Sequence, residues 1–405
     1  MKKAPSKPAL IVGGTIMMFF MGIFYAWSRY RIILHEIFPD WTYANMSLNF
    51  SLYICVNCVG IMTGSVLIGK FGYRRILRVG AVMAGVGLLL FSCIEFLPSG
   101  PALILMYVTY GFITSLGCGF AYNGIVSGTG AYFPKRAGTV TGLLLMGYGM
   151  SSITLGNFIV YVSEKIGFFV TFRIVAVVLF AVIFSLAGLY QGGEKQGQAE
   201  NTGAEGLTTA ETVRTPAFWL LVLWMIFLSC QGLMVMNSAA DIAQGFGVAA
   251  SLGLIVSMFN GISRIGMGVV FDMTDKAPVI DTVLALVGGI SLFFASRTES
   301  VALMFFGLII TGIAYGGGIS LNASLTRRMF GSKHYSRNFG VANISGIVAS
   351  FVGPYIAGIL QDSSGGEYES SYVAMIIFGV VSLVLCILMR IFAKKLPTGT
   401  AGKAL

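Results

Sequence analysis

Leu252–Phe271 reads LGLIVSMFNGISRIGMGVVF, and the whole run holds a single charge, Arg264. At 1.5 Å per residue, about 20 apolar residues are long enough to cross the hydrocarbon core of a bilayer as one helix. An arginine in the middle of such a helix costs at least about 2.5 kcal/mol on insertion scales. Something must compensate it.

Outward from this run, comparable apolar stretches lie at 9–34, 44–69, 76–97, 101–129, 138–162 and 170–190. Six more follow at 216–240, 250–271, 277–296, 301–326, 338–360 and 371–392. The intervening 191–215 is rich in Gly, Gln, Glu, Thr and Asn without apolar period, which predicts a flexible linker. The expected fold is therefore an all-α membrane protein of twelve transmembrane helices in two six-helix halves, 1–190 and 216–405, joined by a cytoplasmic linker, 191–215. No acid lies clearly inside any span on this reading. The first run is long and has no small-residue cleavage site, so it reads as a retained helix and not as a signal peptide.

Composition agrees with the lipid bilayer as solvent. Of 405 residues 56% are hydrophobic and 10% charged, and mean hydropathy is +0.84. The 53 glycines suit helices that pack closely in lipid. The six cysteines all fall in apolar runs and read as small buried hydrophobes, Cys55-x-x-Cys58 included. A net charge of +10 would suggest nucleic acid only if the basic residues formed one face. Instead about 20 of the 26 Lys and Arg fall on the side of both termini and about 5 on the other. Both termini are thus expected in the cytoplasm, which requires an even number of spans.

The halves share a feature. Ser65-Val66-Leu67-Ile68-Gly69-Lys70-Phe71-Gly72-Tyr73-Arg74 follows the second run, and Gly268-Val269-Val270-Phe271-Asp272-Met273-Thr274-Asp275-Lys276 follows the eighth. Both resemble the cytoplasmic loop signature of the major facilitator superfamily, with Gly69 in place of the acid in the first copy and Asp275 in place of a glycine in the second. Asp272 is the acid of the second copy, a structural or gating residue by that resemblance. Arg214-Thr215-Pro216-Ala217-Phe218-Trp219, Tyr132-Phe133-Pro134-Lys135-Arg136-Ala137-Gly138 and Tyr335-Ser336-Arg337-Asn338-Phe339-Gly340 resemble the oxalate/formate antiporter family, related to the monocarboxylate transporters.

The resemblance implies a multi-pass protein of the cell inner membrane that moves small carboxylates by alternating access. In the oxalate carriers of that family an arginine of the eighth span matches Arg264, while a lysine of the eleventh falls here on Gly346 and a tryptophan on Asn343. Two cations suit a dianion and one suits a monoanion, so a monocarboxylate such as formate, lactate or pyruvate is expected ahead of oxalate. Lactate-carrying relatives match at Asn260 and Arg264.

Chemistry supports the same residues. A guanidinium forks two donors onto one carboxylate, although helix carbonyls or a buried acid would also satisfy it. Asn260, four residues earlier, shares its face and either donates to the same ligand, orients the guanidinium or packs against a helix. The resemblance places Tyr25, Tyr122, Tyr148 and Tyr315 on the cavity lining. Arg29 either attracts anions, replaces the missing lysine or snorkels to the interface beside Arg31 and His35. His334 reads as a solvated loop residue.

With neither histidine at membrane depth and no Walker-type loop, no enzyme, metal, cofactor or ATP-driven function is expected. The expected partners are a small carboxylate, with a co-transported proton or counter-anion, and the bilayer; no nucleic acid is expected, and the protein is expected to be monomeric. With Asn260 in place of an acid, proton coupling would have to rest on the substrate or on a less obvious group. A carboxylate sensor, or a drug or sugar carrier, on the same scaffold stays open.

Overall fold

The computed structural model of the chain describes residues 6–133, 136–190, 206–363 and 368–396. Among these it is helical throughout, with one isolated bridge, Gly206 to Gly331. Among the described residues, eleven helices are long and apolar enough to cross a membrane. They are α1 (Lys7–Ala26), α2 (Leu48–Phe71), α3 (Tyr73–Phe96), α4 (Ser99–Gly130), α5 (Thr139–Ile166), α6 (Phe168–Tyr190), α7 (Pro216–Gly245), α8 (Leu252–Met273), α9 (Ala277–Thr298) and α10 (Val301–Phe330), with α12 (Glu369–Ala393) after the expected place of the eleventh span. That place holds α11 (Ile344–Ser363), preceded by the short helix Tyr335–Ala342. The chain is a multi-pass, all-α membrane protein.

Several spans change helix type along their length. α1 ends in a 3-10 segment, Gly22–Ala26, before the helix Trp27–Ile37. Wider π turns occupy Tyr107–Thr114 in α4 and Ser152–Gly156 in α5. The contacts divide the chain into two units, Met1–Pro134 with Ser151–Gly203, and Lys135–Met150 with Ala204–Leu405.

In the first unit, small residues bring backbones together. A Cβ on Gly60 would stand 2.7 Å from the carbonyl oxygen of Leu116, and one on Gly80 would stand 2.6 Å from that of Gly117. Such contact is how helices associate where burial from water contributes nothing. The polar side chains near these crossings are bonded: Asn57 Nδ2 donates to Ser115 O (3.2 Å) and Asn123 Nδ2 to Ile61 O (2.8 Å). Rings of Trp27, Tyr53, Phe91, Tyr110, Phe168 and Phe172 pack on one another in the same unit. Gly72, at φ 81°, makes the turn from α2 to α3, a backbone region that L side chains avoid. In the second copy Asp275, at the place of Gly72, is not at positive φ, so glycine is not required there.

In the second unit, part of the expected flexible linker is ordered. The segment 191–205 lies outside the described residues, but Thr209–Arg214 is a helix begun by a reciprocal capping box between Thr208 and Glu211. Those bonds also hold the exposed Glu211 carboxyl below the usual range. Leu207 N donates to Phe330 O (2.9 Å) and Asn338 Nδ2 to Leu207 O (3.0 Å), anchoring this segment to the end of α10. His334 is half-buried and not simply solvated: desolvation first, then Lys333 and Arg337, hold its imidazole below the ordinary value.

Candidate functional site

Leu252–Phe271 makes up most of α8, a helix of the second unit. α8 packs on the first half of α5 through glycines. A Cβ on Gly261 would lie 2.7 Å from Met150 N, and one on Gly142 would run into the carbonyl oxygen of Arg264. This close approach carries Arg264 into the interior, where its side chain is fully buried. Its Nε donates to Asn260 Oδ1 (3.0 Å) and its Nη1 to Leu145 O (3.0 Å). Both acceptors are neutral. Its guanidinium also stands 5.9 Å from the ring centroid of Tyr148.

Gly149 leaves the room this needs, because a Cβ there would sit 3.3 Å from Arg264 Nε. Asn260 is equally buried. With Oδ1 committed to the arginine, its Nδ2 is a buried donor with no partner among the described residues. A buried donor left unmade costs about 1–3 kcal/mol. The arrangement therefore offers a fixed, desolvated cation and an unmet amide donor on one helix face, a pairing suited to a small anion.

The other residues singled out by the sequence are distributed over both units. Tyr315, on α10, is buried, and its ring packs against Gly232 of α7. Asn343 closes the helix Tyr335–Ala342, its Nδ2 donating to Phe339 O (2.7 Å). Asp272 is exposed, and its Oδ2 accepts from Thr139 N (2.8 Å) and Thr139 Oγ1 (2.6 Å) at the first turn of α5. A carboxylate is favoured there by the unbonded amides and dipole of a helix N-terminus. In the first unit Tyr25 is buried in the 3-10 segment, Tyr122 is buried on α4, and Arg29 is half-buried on Trp27–Ile37. The change of helix type between Tyr25 and Arg29 shifts the angular register that a continuous α-helix would give them.

One expectation is corrected. An acid does lie inside a span: Asp281, on α9, is fully buried, and neither carboxyl oxygen has a partner among the described residues. The signal was present in the sequence, since Pro278 marks the start of α9 and Asp281 falls a turn beyond it. The Leu145 carbonyl and the space at Gly149 had no such signal, because a helix backbone looks the same in every sequence.

Fold and interior together define a class, the multi-pass helical membrane proteins with ionisable groups set among packed spans. The sequence matches the Major Facilitator Superfamily over residues 9–323 and 279–404, and the chain belongs to that superfamily. It is a transporter and not an enzyme. It is similar to the oxalate:formate antiporter of Oxalobacter formigenes, with 23% identity over 94% of this chain and 91% of the relative. Monocarboxylate transporter 10 of Danio rerio is 26% identical over 87% of this chain and 70% of its own. Among solved structures, the proton:xylose symporter XylE bound to 6-bromo-6-deoxy-D-glucose superposes with a TM-score of 0.68 at 15% identity, covering 96% of this chain and 97% of that one, which shows the shared fold.

Proposed function

We propose that this transporter is a secondary active carrier of a small organic anion, a monocarboxylate of the size of formate, lactate or pyruvate. Arg264 and Asn260 hold the carboxylate, and Tyr148, Tyr315, Asn343, Tyr25, Tyr122 and Arg29 are the further candidates for substrate binding. It works by alternating access of the two halves, 1–190 and 216–405, in a cytoplasmic inner membrane with both termini in the cytoplasm. One observation carries the reading: the fully buried guanidinium donates to Asn260 Oδ1 and Leu145 O while the Asn260 Nδ2 beside it is a buried donor without a partner among the described residues. A carboxylate supplies both what the cation attracts and what the amide lacks. The names of the two curated relatives point to the same chemical class.

Counterflow in proteoliposomes with labelled formate, acetate, lactate, pyruvate and oxalate tests it. Monocarboxylates should exchange, and oxalate should compete poorly, because a second carboxylate facing no second cation is desolvated at several kcal/mol. Exchange of oxalate above all monocarboxylates, as the name of the first relative would suggest, overturns the valence argument. Binding without flux assigns the site to a sensor. A cysteine placed in 191–215 or beside Leu405 should be labelled only from the cytoplasm.

A further inference from the structure

Besides Arg264, the second unit holds a fully buried acid among its described residues. Asp281 lies on α9, a turn inside the helix, with its side chain fully buried and both oxygens without a partner among the described residues. What faces it is almost all uncharged. From α10 come Gly317 and Gly318: a Cβ on Gly317 would strike the carboxyl, and one on Gly318 would stand 3.3 Å from Oδ2. From α8 comes Met267, which meets the same Gly317 position at 3.2 Å. From α7 come Leu228 and, bonded to the neighbouring Thr282, Trp224 Nε1 (2.8 Å). From α12 comes the thiol of Cys386, near Thr282 and within electrostatic reach of the acid. Arg390, one turn further along α12, is paired with Asp275 (3.1 Å).

The same short stretch of α10 touches the anion site. Gly316 abuts the carbonyl oxygen of Asn260 and the Oγ of Ser263, Gly317 abuts Asp281, and Tyr315 abuts Gly232. A shift of α10 by a fraction of an ångström is therefore felt at Asn260 and at Asp281 together, since no side chain separates either from the glycine backbone.

Resting on the carboxylate-carrier reading, we propose that Asp281 is the proton-binding group of this transporter, loaded when a monocarboxylate occupies Arg264 and Asn260. A lone carboxylate in this apolar setting is far more costly than a neutral carboxylic acid. A proton therefore adds to one carboxylate oxygen, forming an O–H bond, when the shift of α10 that accompanies anion binding places Asp281 in this apolar setting, and that O–H bond breaks to release the proton to water on the opposite side of the membrane. One proton and one anion move together, so the loaded carrier gains no net charge. A metal cation would need several oxygen ligands around the site, and glycine carbons and apolar side chains occupy that space.

The test measures two quantities on the same purified protein. The first is counterflow of labelled lactate, or of formate where lactate does not exchange. The second is proton uptake, followed with a pH-indicator dye in weakly buffered detergent solution as the same anion is added. The parent should show both. Asp281→Asn, which fixes the neutral form, should still exchange anion measurably while its proton uptake and its pH-gradient-driven accumulation fall at least tenfold. Should that variant fail to reach the membrane, Gly317→Ala, which drives a methyl group against the carboxyl, should reduce proton uptake more than counterflow. Undiminished proton uptake in either variant overturns the proposal, as does counterflow in the parent without proton uptake or accumulation driven by a sodium gradient at uniform pH. No counterflow with any carboxylate in the parent sinks the carrier reading itself.

Discussion

Two helix pairs of the second unit, α5 with α8 and α9 with α10, are built alike and finished differently. In both, glycines let one backbone rest on the next, and in both a fully buried ionisable side chain faces the glycine surface. Arg264 is held by two hydrogen bonds of 3.0 Å to neutral oxygens, whereas Asp281 has no partner among the described residues. A side chain so fastened keeps one charge and one geometry and suits a ligand that comes and goes. A side chain left without bonds has its two protonation states separated mainly by its surroundings, and those move when α10 moves.

The largest expected effect tests the fastened member. Arg264→Lys keeps the charge but replaces a rigid fork by a point charge, which cannot reach Asn260 Oδ1 and Leu145 O while presenting two donors to a carboxylate. Transport should fall at least about tenfold, equivalent to roughly 1.4 kcal/mol, with expression retained. Normal transport by Arg264→Lys, together with loss of Arg264→Ala from the membrane, would make Arg264 a structural residue. Next comes the glycine contact itself. Gly142→Val drives a branched side chain into the Arg264 carbonyl and should destabilise by about 1–3 kcal/mol, read as a lowered melting temperature in detergent. Gly266→Ala, on the same α8 but with nothing within 4 Å, should melt no lower than the parent. Equal melting of the two would mean that α5 and α8 do not rest on each other.

A smaller effect is expected at the neighbour. Asn260→Leu removes both the acceptor of Arg264 Nε and the unmet donor, so the arginine loses one bond while the carboxylate loses another. About 1–3 kcal/mol is at stake, and substrate affinity should weaken more than the melting temperature falls. A pure stability loss with unchanged affinity would reduce Asn260 to a packing residue.

How much of this was legible follows from what each feature depends on. The spans are written in local composition, and Arg264 stands out because a charge in an apolar run is visible without any neighbour. Asp281 was hidden by the same averaging, since one acid near the start of a long apolar run reads as its polar margin until Pro278 fixes where the helix begins. The helix Thr209–Arg214 was hidden by its flanks: Thr208 and Glu211 form a recognisable capping box, but the surrounding Gly and Gln set the reading of the whole stretch. The 3-10 and π turns at Gly22–Ala26, Tyr107–Thr114 and Ser152–Gly156 carry no proline and depend on packing between distant segments, which periodicity does not record.

The smallest expected effects lie where the two pairs end, at the acids of the second signature copy. Asp272 accepts two hydrogen bonds from Thr139 and lies against the helix start of α5, so Asp272→Asn keeps an acceptor but loses the charge that the N-terminus favours, worth about 0.3–1 kcal/mol. Asp275 instead pairs with Arg390 across to α12 at 3.1 Å, both side chains partly exposed, at 23% for the arginine and 42% for the aspartate. Exposed pairs of this kind contribute about 0–1 kcal/mol and weaken with salt, because mobile ions screen them. Asp275→Asn should therefore lower the melting temperature slightly at low salt and not at all at high salt. Asp272→Asn should keep part of its effect at high salt, since salt screens the helix-terminus attraction but not the weakening of two short-range, charge-assisted bonds from Thr139. Transport separates them further: loosening the start of α5 acts on the helix that supplies the Leu145 carbonyl to Arg264, so the Asp272 variant should slow exchange severalfold while the Asp275 variant leaves it within twofold. Equal salt dependence of the two variants would mean that the Thr139 bonds do not hold α5 to α8, and the difference drawn between the two pairs would then stop short of their ends.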